Sequence, residues 1–512
     1  MKKALCMLLS LACAFALSGC STPLDTPSAP VSTLPPAVSP YEAPVGDASL
    51  EYTATIPLFL PSRDGQTLLA QPTLVSLHHG RRNAESLVRA LLSFEGNDQA
   101  SALGGGAALQ LYGQNPVEVS GGVCTVNLTS SALQLSASEL YTVALALSAT
   151  LCQQPDIHYV NLLVADQALG MDITNHLPLG SLAAQTGTEL PVLWEQMEAR
   201  RTPLGENPAD TPFASAVTLY FPLADASGII PEARNLSFPG QAPDQLASAL
   251  ISALSPGAQY LQGAAAMPDL SQLMSAAPHV EELDNGGRRV NLYFHVSWED
   301  TLRQAGVDAA CLISAITYTL TGFIPSLSDL RIHVGETPLT SLYSAYHGSQ
   351  VFADGVITRA AFSAYVMDHA TLYFASGDKL SAARRAMPYY ETANPRLLLL
   401  RLMGGPTRQE LDRGLEPVLP EGLQDSDILG VSLSGETLLV NLSARCAELI
   451  RLEAASWEQA ACYGMVNTLC SAMGVKRVRF FFGGEVLSTL GGTLYWGGEF
   501  LHNPGLNDKS LG

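Results

Sequence analysis

Apolar positions along this chain fall into two alternating periods. Short β-rich runs open three segments: Ile56-Pro57-Leu58-Phe59-Leu60-Pro61, Val217-Thr218-Leu219-Tyr220-Phe221-Pro222 and Ala370-Thr371-Leu372-Tyr373-Phe374. A turn follows each, carrying Asp64-Gly65, Ser227-Gly228 or Gly377-Asp378, the residues that supply turn conformations cheaply. The period then becomes helical. Leu87, Leu91 and Phe94 share one face, as do Leu246, Leu250 and Leu254, and Leu398, Leu399 and Leu402. These helices are predicted to start near Asn83, at Pro243 and at Pro395. Proline suits the first helical position, and Asn394 supplies an N-cap.

Laid against itself, the chain shows the same landmarks three times. About seventy residues after each opening comes a strand containing Val-Asn-Leu, at Val126-Asn127-Leu128, Val290-Asn291-Leu292 and Val440-Asn441-Leu442. A helix with Thr-Leu near its end follows, at Thr150-Leu151, Thr319-Leu320 and Thr468-Leu469, and then a last strand, Tyr159 to Val164, Leu330 to Val334 and Val478 to Phe482. Capping boxes are expected at Ser136 with Glu139 and at Ser456 with Gln459. The order β-helix-β-β-helix-β, with one apolar stripe per helix, predicts an α/β (α+β) chain. It is read as three tandem small domains, each a mixed β-sheet with two helices packed on one face. The copies are too long for solenoid repeats and are expected as independent beads at 53–180, 215–345 and 369–505, joined by linkers at 181–214 and 346–368. The recurring Asn127, Asn291 and Asn441 are read as structural, turned from the core or capping the following loop.

The amino-terminal pattern differs. Lys2-Lys3, an apolar run from Ala4 to Leu17, and Leu17-Ser18-Gly19-Cys20 form a secretory signal, residues 1–19, ending in a lipobox. Cleavage before Cys20 would leave that cysteine acylated, so the expected attachment is to membrane lipid through Cys20, on the extracytoplasmic face. Residues 20–52 hold seven prolines and no Lys or Arg, which predicts a disordered tether.

Composition narrows the choices. A hydrophobic fraction of 47% provides for buried cores, while a net charge of -20 with 14% charged residues provides no basic face for phosphates. A nucleic-acid partner is therefore not expected. Once Cys6, Cys13 and Cys20 are set aside, six cysteines remain, at 124, 152, 311, 446, 462 and 470. Their spacing signals no disulfide framework, metal site or haem site. Cys462 and Cys470 fall on one helix about 12 Å apart, too far to bond. Free thiols are expected, with Cys124 and Cys152 the one pair to watch. No GxSxG, HExxH, P-loop, EF-hand or GxGxxG spacing occurs, so no catalytic residue, cofactor or metal is assigned. The adjacent His78-His79 reads as solvated turn histidines.

On these landmarks the sequence resembles the GerMN domain of sporulation and germination lipoproteins and related envelope proteins of spore-forming bacteria. The third copy carries the resemblance furthest, with Leu372-Tyr373-Phe374, Leu402-Met403-Gly404-Gly405-Pro406, Val440-Asn441-Leu442, Val466-Asn467-Thr468-Leu469, Gly474-Val475-Lys476-Arg477-Val478 and Gly483-Gly484-Glu485. The second keeps Ile230-Pro231-Glu232 and Val334-Gly335-Glu336; the first diverges, with Phe94-Glu95-Gly96-Asn97 in place of Gly-Pro. All three have Asn where the family often has Asp. The resemblance implies an envelope assembly protein with domains similar to ring-forming, self-associating modules, whose expected partners are other envelope proteins. A non-catalytic, lipid-anchored scaffold in sporulation or spore germination is the favoured reading, acting through sheet edges. The alternatives are an extracytoplasmic binding lipoprotein for cell-wall glycan or a small solute, and an unrecognised hydrolase.

Overall fold

A computed structural model describes residues 41–172, 176–492 and 494–507. Cys20, the signal and the tether up to residue 40 lie outside the described residues.

The element order repeats three times. The first unit runs β1 (Glu51–Pro61), β2 (Leu68–His78), α1 (Ala84–Leu92), β3 (Val117–Ser120), β4 (Val123–Leu128), α2 (Ala137–Leu151), β5 (Tyr159–Val164) and β6 (Gln167–Ala168). A connecting helix, α3 (Leu190–Glu198), leads to the second unit. That unit has β7 (Phe213–Pro222), β8 (Ile229–Phe238), α4 (Pro243–Leu254), a single turn α5 (Leu270–Leu273), β9 (Met274–Glu282), β10 (Arg288–Phe294), α6 (Trp298–Ala305), α7 (Ala309–Thr321), β11 (Leu327–Val334) and β12 (Thr337–Pro338). A hairpin of β13 (Ser341–Ser344) and β14 (Gly348–Val351) precedes the third unit. The third unit comprises β15 (Met367–Ser376), β16 (Lys379–Pro388), α8 (Pro395–Met403), a single turn α9 (Arg408–Asp412), β17 (Ile428–Ser434), β18 (Thr437–Leu442), α10 (Ala444–Leu452), α11 (Ala455–Met473), β19 (Arg477–Phe482) and β20 (Phe500–Leu501).

In each unit the opening strand pairs antiparallel with a second long strand as a separate hairpin: β1 with β2, β7 with β8, β15 with β16. The remaining strands form a mixed four-stranded sheet, ordered β3-β4-β5-β6, β9-β10-β11-β12 and β17-β18-β19-β20. Val126, Val290 and Val440 occupy the same place in all three, on a strand antiparallel to its predecessor and parallel to its successor. The hairpin's second strand extends the sequence expectation, which ended each opening strand at its turn.

The second helix of each unit touches both hairpin and sheet, so it is buried nearly all round rather than along one stripe. In α7 every residue from Ala310 to Thr321 is buried. The Thr of the Thr-Leu landmark explains the joint. Its hydroxyl accepts the N–H of Phe59 at Thr150 (2.9 Å), of Tyr220 at Thr319 (2.9 Å) and of Tyr373 at Thr468 (3.1 Å). These N–H groups lie on the hairpin edge turned from its partner strand, and burial without an acceptor would cost about 1–3 kcal/mol each.

Helix starts follow the sequence at α1, α4 and α8, where the Asn394 side chain accepts from the N–H groups of Arg396 and Leu397. The Ser136–Glu139 capping box is formed. At the other expected box, α11 starts at Ala455 behind an Ala454 N-cap, so Ser456 lies inside the helix and not at its cap.

The units are not independent beads: the described residues from 41 to 507 fall in one compact body. The first two share a continuous core running from Leu58 to Tyr389, while the third has its own, centred on Leu372, Leu399, Val440 and Phe480. The stretches expected as linkers are folded into this body. Leu190, Leu193 and Met197 of α3 are buried, and so are Phe352, Arg359, Phe362 and Tyr365 in the second connection. Gly121, in the turn between β3 and β4, fits so closely against β8 that a Cβ there would lie 2.1 Å from the Pro231 carbonyl oxygen. Only glycine permits that approach together with a φ of 54°.

Candidate functional site

Where the units meet, polar side chains converge on two clefts. The first, about 210 Å³, is lined by Glu118, Thr125, Asn127, Asp166, Tyr318 and Arg359 among others. Arg359 arrives from the connection before β15. It donates to the Glu118 carboxylate of β3 at 3.1 Å and to the Tyr220 hydroxyl of β7 at 3.3 Å, and its guanidinium lies 3.7 Å from the centre of the Tyr318 ring of α7. Burial pushes the Glu118 carboxyl up and the Arg359 charge pulls it back; burial works against Arg359, and Tyr220, Glu118 and Tyr318 outweigh it. Each charge has a partner, so the cluster locks the first unit to the second.

The second cleft, about 350 Å³, lies between the first and third units and is lined by Tyr52, His78, His79, Arg81, Arg82 and Asp156 among others. Arg82 pairs with Asp156 and, at 2.6 Å, with Asp368, and also donates to Thr392. The histidines are therefore not the solvated turn residues expected from sequence. His79 stacks on Tyr52 at 4.1 Å, with Nδ1 3.2 Å from the Met473 carbonyl at the end of α11. His78 Nδ1 accepts the Gly80 N–H, and burial pushes its pKa down. Among the described residues no group of three His, Cys, Asp or Glu side chains is placed to hold a metal, and the six cysteines are free.

Two of the three recurring asparagines serve turns. Asn127 exchanges two hydrogen bonds with Asp166 in the turn after β5, and Asn441 accepts the Gly484 N–H in the turn after β19 while donating to the Pro44 carbonyl.

Sheet edges are where the sequence placed the interaction surface, and the equivalent edges β3, β9 and β17 are each covered or blunted within the chain. All four residues of β3 are buried, and its Ser120 hydroxyl donates to the Met367 carbonyl of β15. On β9, Pro278 offers no N–H and the Val280 N–H is taken by Asp244 of α4, two devices that blunt an edge. On β17 the cover is the segment ahead of β1. Gly46 N–H donates to the Leu429 carbonyl (2.7 Å) and Ala48 N–H to the Val431 carbonyl (2.9 Å). Residues 41–50, expected as part of the tether, thus lie against the third unit. The β13–β14 hairpin instead shows an open face, with Tyr343 70% and Val351 77% exposed. The sequence reading passed over it because the boundary drawn at 345 put β13 in the second domain and β14 in the expected linker.

Comparison with known proteins places this architecture. Residues 371–488 match the Germane family, described as "Sporulation and spore germination". None of the curated proteins matches significantly. Among solved structures, the tandem GerMN domains of the sporulation protein GerM from Bacillus subtilis show 15% identity over 61% of this chain and 98% of theirs, with a TM-score of 0.21. A putative lipoprotein from Clostridium perfringens shows 19% identity over 26% of this chain and 87% of its own, TM-score 0.19. The first GerMN domain of GerM alone gives 20%, 24%, 91% and 0.19 in the same order. Those likenesses are too low in score to bear on function; the family match runs from within β15 through β16, β17, β18 and α11 to β19 of the third unit and stops short of β20. The third unit is therefore the part of the chain that matches the family described as "Sporulation and spore germination".

Proposed function

We propose that this chain is a non-catalytic, lipid-anchored envelope protein that serves as a scaffold or assembly partner in sporulation or spore germination. The observation that carries the reading is the use made of the polar clefts: Arg359, Glu118, Arg82 and Asp368 bind the units to one another. Such a body presents broad composite faces. Its exposed Tyr343 and Val351 on β13–β14 suit contact with another envelope protein. The lipobox at Cys20 supports attachment by acyl chains.

Two measurements test this. Cys20→Ala should abolish acyl labelling and release the chain from the membrane fraction; normal labelling and retention would remove the anchor from the proposal. Loss of the protein should alter envelope or spore assembly while leaving hydrolytic activities intact. Cleavage of peptidoglycan or an ester by purified protein, abolished by one Ser or Glu substitution that spares folding, would overturn the scaffold role.

A further inference from the structure

The covers on the three equivalent edges differ in kind. β3 is covered by strands of the repeats themselves and β9 by its own proline and α4, both integral to the fold. The cover on β17 is residues 41–50, a segment outside the repeats that passes into β1 only at its carboxyl end.

This strap is held by chemistry specific to it. Besides the two backbone bonds, Arg396 of α8 grips the Asp47 carboxylate through two nitrogens at 2.7 and 3.1 Å. Asn441 donates to the Pro44 carbonyl, the Tyr41 hydroxyl donates to Glu499 at 2.6 Å, and the Tyr41 ring lies 5.5 Å from the Arg479 guanidinium. Leu50 closes the strap by entering the core of the third unit. The receiving edge is shaped for a passing backbone: a Cβ on Gly430 would sit 2.4 Å from the Gly46 oxygen and 2.7 Å from both the Gly46 nitrogen and the Pro44 oxygen. Aromatic, carboxylate and small residues therefore each meet a matching feature of the groove. Added-strand recognition works this way, with main-chain bonds giving affinity and side-chain pockets giving specificity.

We propose that the β17 groove is a strand-addition site which residues 41–50 fill within one chain and which the same residues of a second copy fill between chains, so that reciprocal exchange makes a dimer. The inference rests on the assembly reading above and names its partner. The segment that demonstrably fits this groove is carried by every copy. Exchange re-forms each contact and adds only the entropy of association, the reason swapped elements are a low-cost route to symmetric dimers. Within one chain the strap competes at an effective concentration on the order of millimolar, so the unmodified protein is monomeric at micromolar concentration.

Complementation tests this on the full chain without lipid. One variant, Tyr41→Ala with Asp47→Ala, has a weakened strap and an intact groove. The other, Gly430→Val, has an intact strap and a blocked groove. Each alone should sediment as a monomer, and an equimolar mixture should form a one-to-one complex. A mixture that stays monomeric, with both variants folded by circular dichroism, overturns the proposal. Should Gly430→Val fail to fold, a labelled peptide of residues 41–50 gives an independent readout. It should bind the strap variant at least about tenfold more tightly than the unmodified chain, since the internal competitor is lost; equal binding overturns it. Neither readout involves the membrane or hydrolytic turnover, so failure here is distinct from failure of the scaffold role.

Discussion

Replacing Arg359 with alanine should destabilise the joint core of the first two units and leave the third nearly untouched. The Arg359 side chain is 5% exposed and that of Glu118 11%, so the substitution strands a carboxylate in a site where burial already pushes its pKa up. Breaking a buried pair from one side costs about 3–5 kcal/mol, because the remaining charge keeps its desolvation penalty and loses its partner. The shared core spans roughly 340 residues, for which an unfolding entropy near 2.1 cal/mol/K per residue gives about 0.7 kcal/mol/K. The expected fall in midpoint is therefore roughly 4–7 °C, on a transition separate from that of the third unit, whose core is distinct. Scanning calorimetry with near-ultraviolet circular dichroism would resolve the two. Replacing both partners, Glu118→Leu with Arg359→Met, should recover most of the loss, since an apolar pair of similar size carries no stranded charge. A shift under about 1 °C for Arg359→Ala, or a double variant no better than the single, would refute the locking role.

Thr319→Val keeps the side-chain shape but removes the acceptor of the Tyr220 N–H; it should cost about 1–3 kcal/mol in urea titration and speed exchange of that amide, while Thr319→Ser should recover the bond. Glu410 pairs with Arg385 and caps α9 through the Thr407 N–H. Burial tends to raise its carboxyl pKa, but Arg385 and Thr407 prevail and hold it below the usual 4.5. The ionised form therefore contributes stability above that value, and the contribution fades as pH falls through the depressed pKa. Glu410→Gln should be less stable than the parent at pH 7, and denaturation midpoints should converge as pH falls through the depressed pKa; a gap that persists or widens in acid would contradict the pairing.

Much of the repeat was legible because it rests on local signals. Pro243, Pro395 and Asn394 start helices where sequence placed them, and the Val-Asn-Leu strands fall in matching register. The hairpin partners were hidden by Pro72, Pro231 and the Arg384-Arg385 pair, residues that interrupt a strand pattern although an isolated two-stranded ribbon accepts them. The threonine landmark was visible as a repeat, but its purpose was not: Thr150 serves Phe59, 91 positions away. Glu118 reads as a surface charge until Arg359, 241 positions on, closes against it. The strap was missed for a different reason. Its Pro, Ala, Gly and Ser residues have the composition of a tether, and strand addition is recorded in backbone bonds that leave no mark on hydrophobic pattern.

The distance along the chain between that strap and its groove carries a consequence for biosynthesis. The Pro44 carbonyl and the Asn441 amide it accepts from are 397 positions apart, so the strap finds its place only after all the chain between them has been made. Until then the strap has nowhere to bind, and closing so long a loop is the slow kind of contact. A chain halted anywhere before β18 would keep its strap unmatched, and a third unit severed from the amino terminus would show its bare β17 to any passing strand. The clasp therefore reports continuity: the β17 edge is concealed within one chain only when the strap and the third unit are both present.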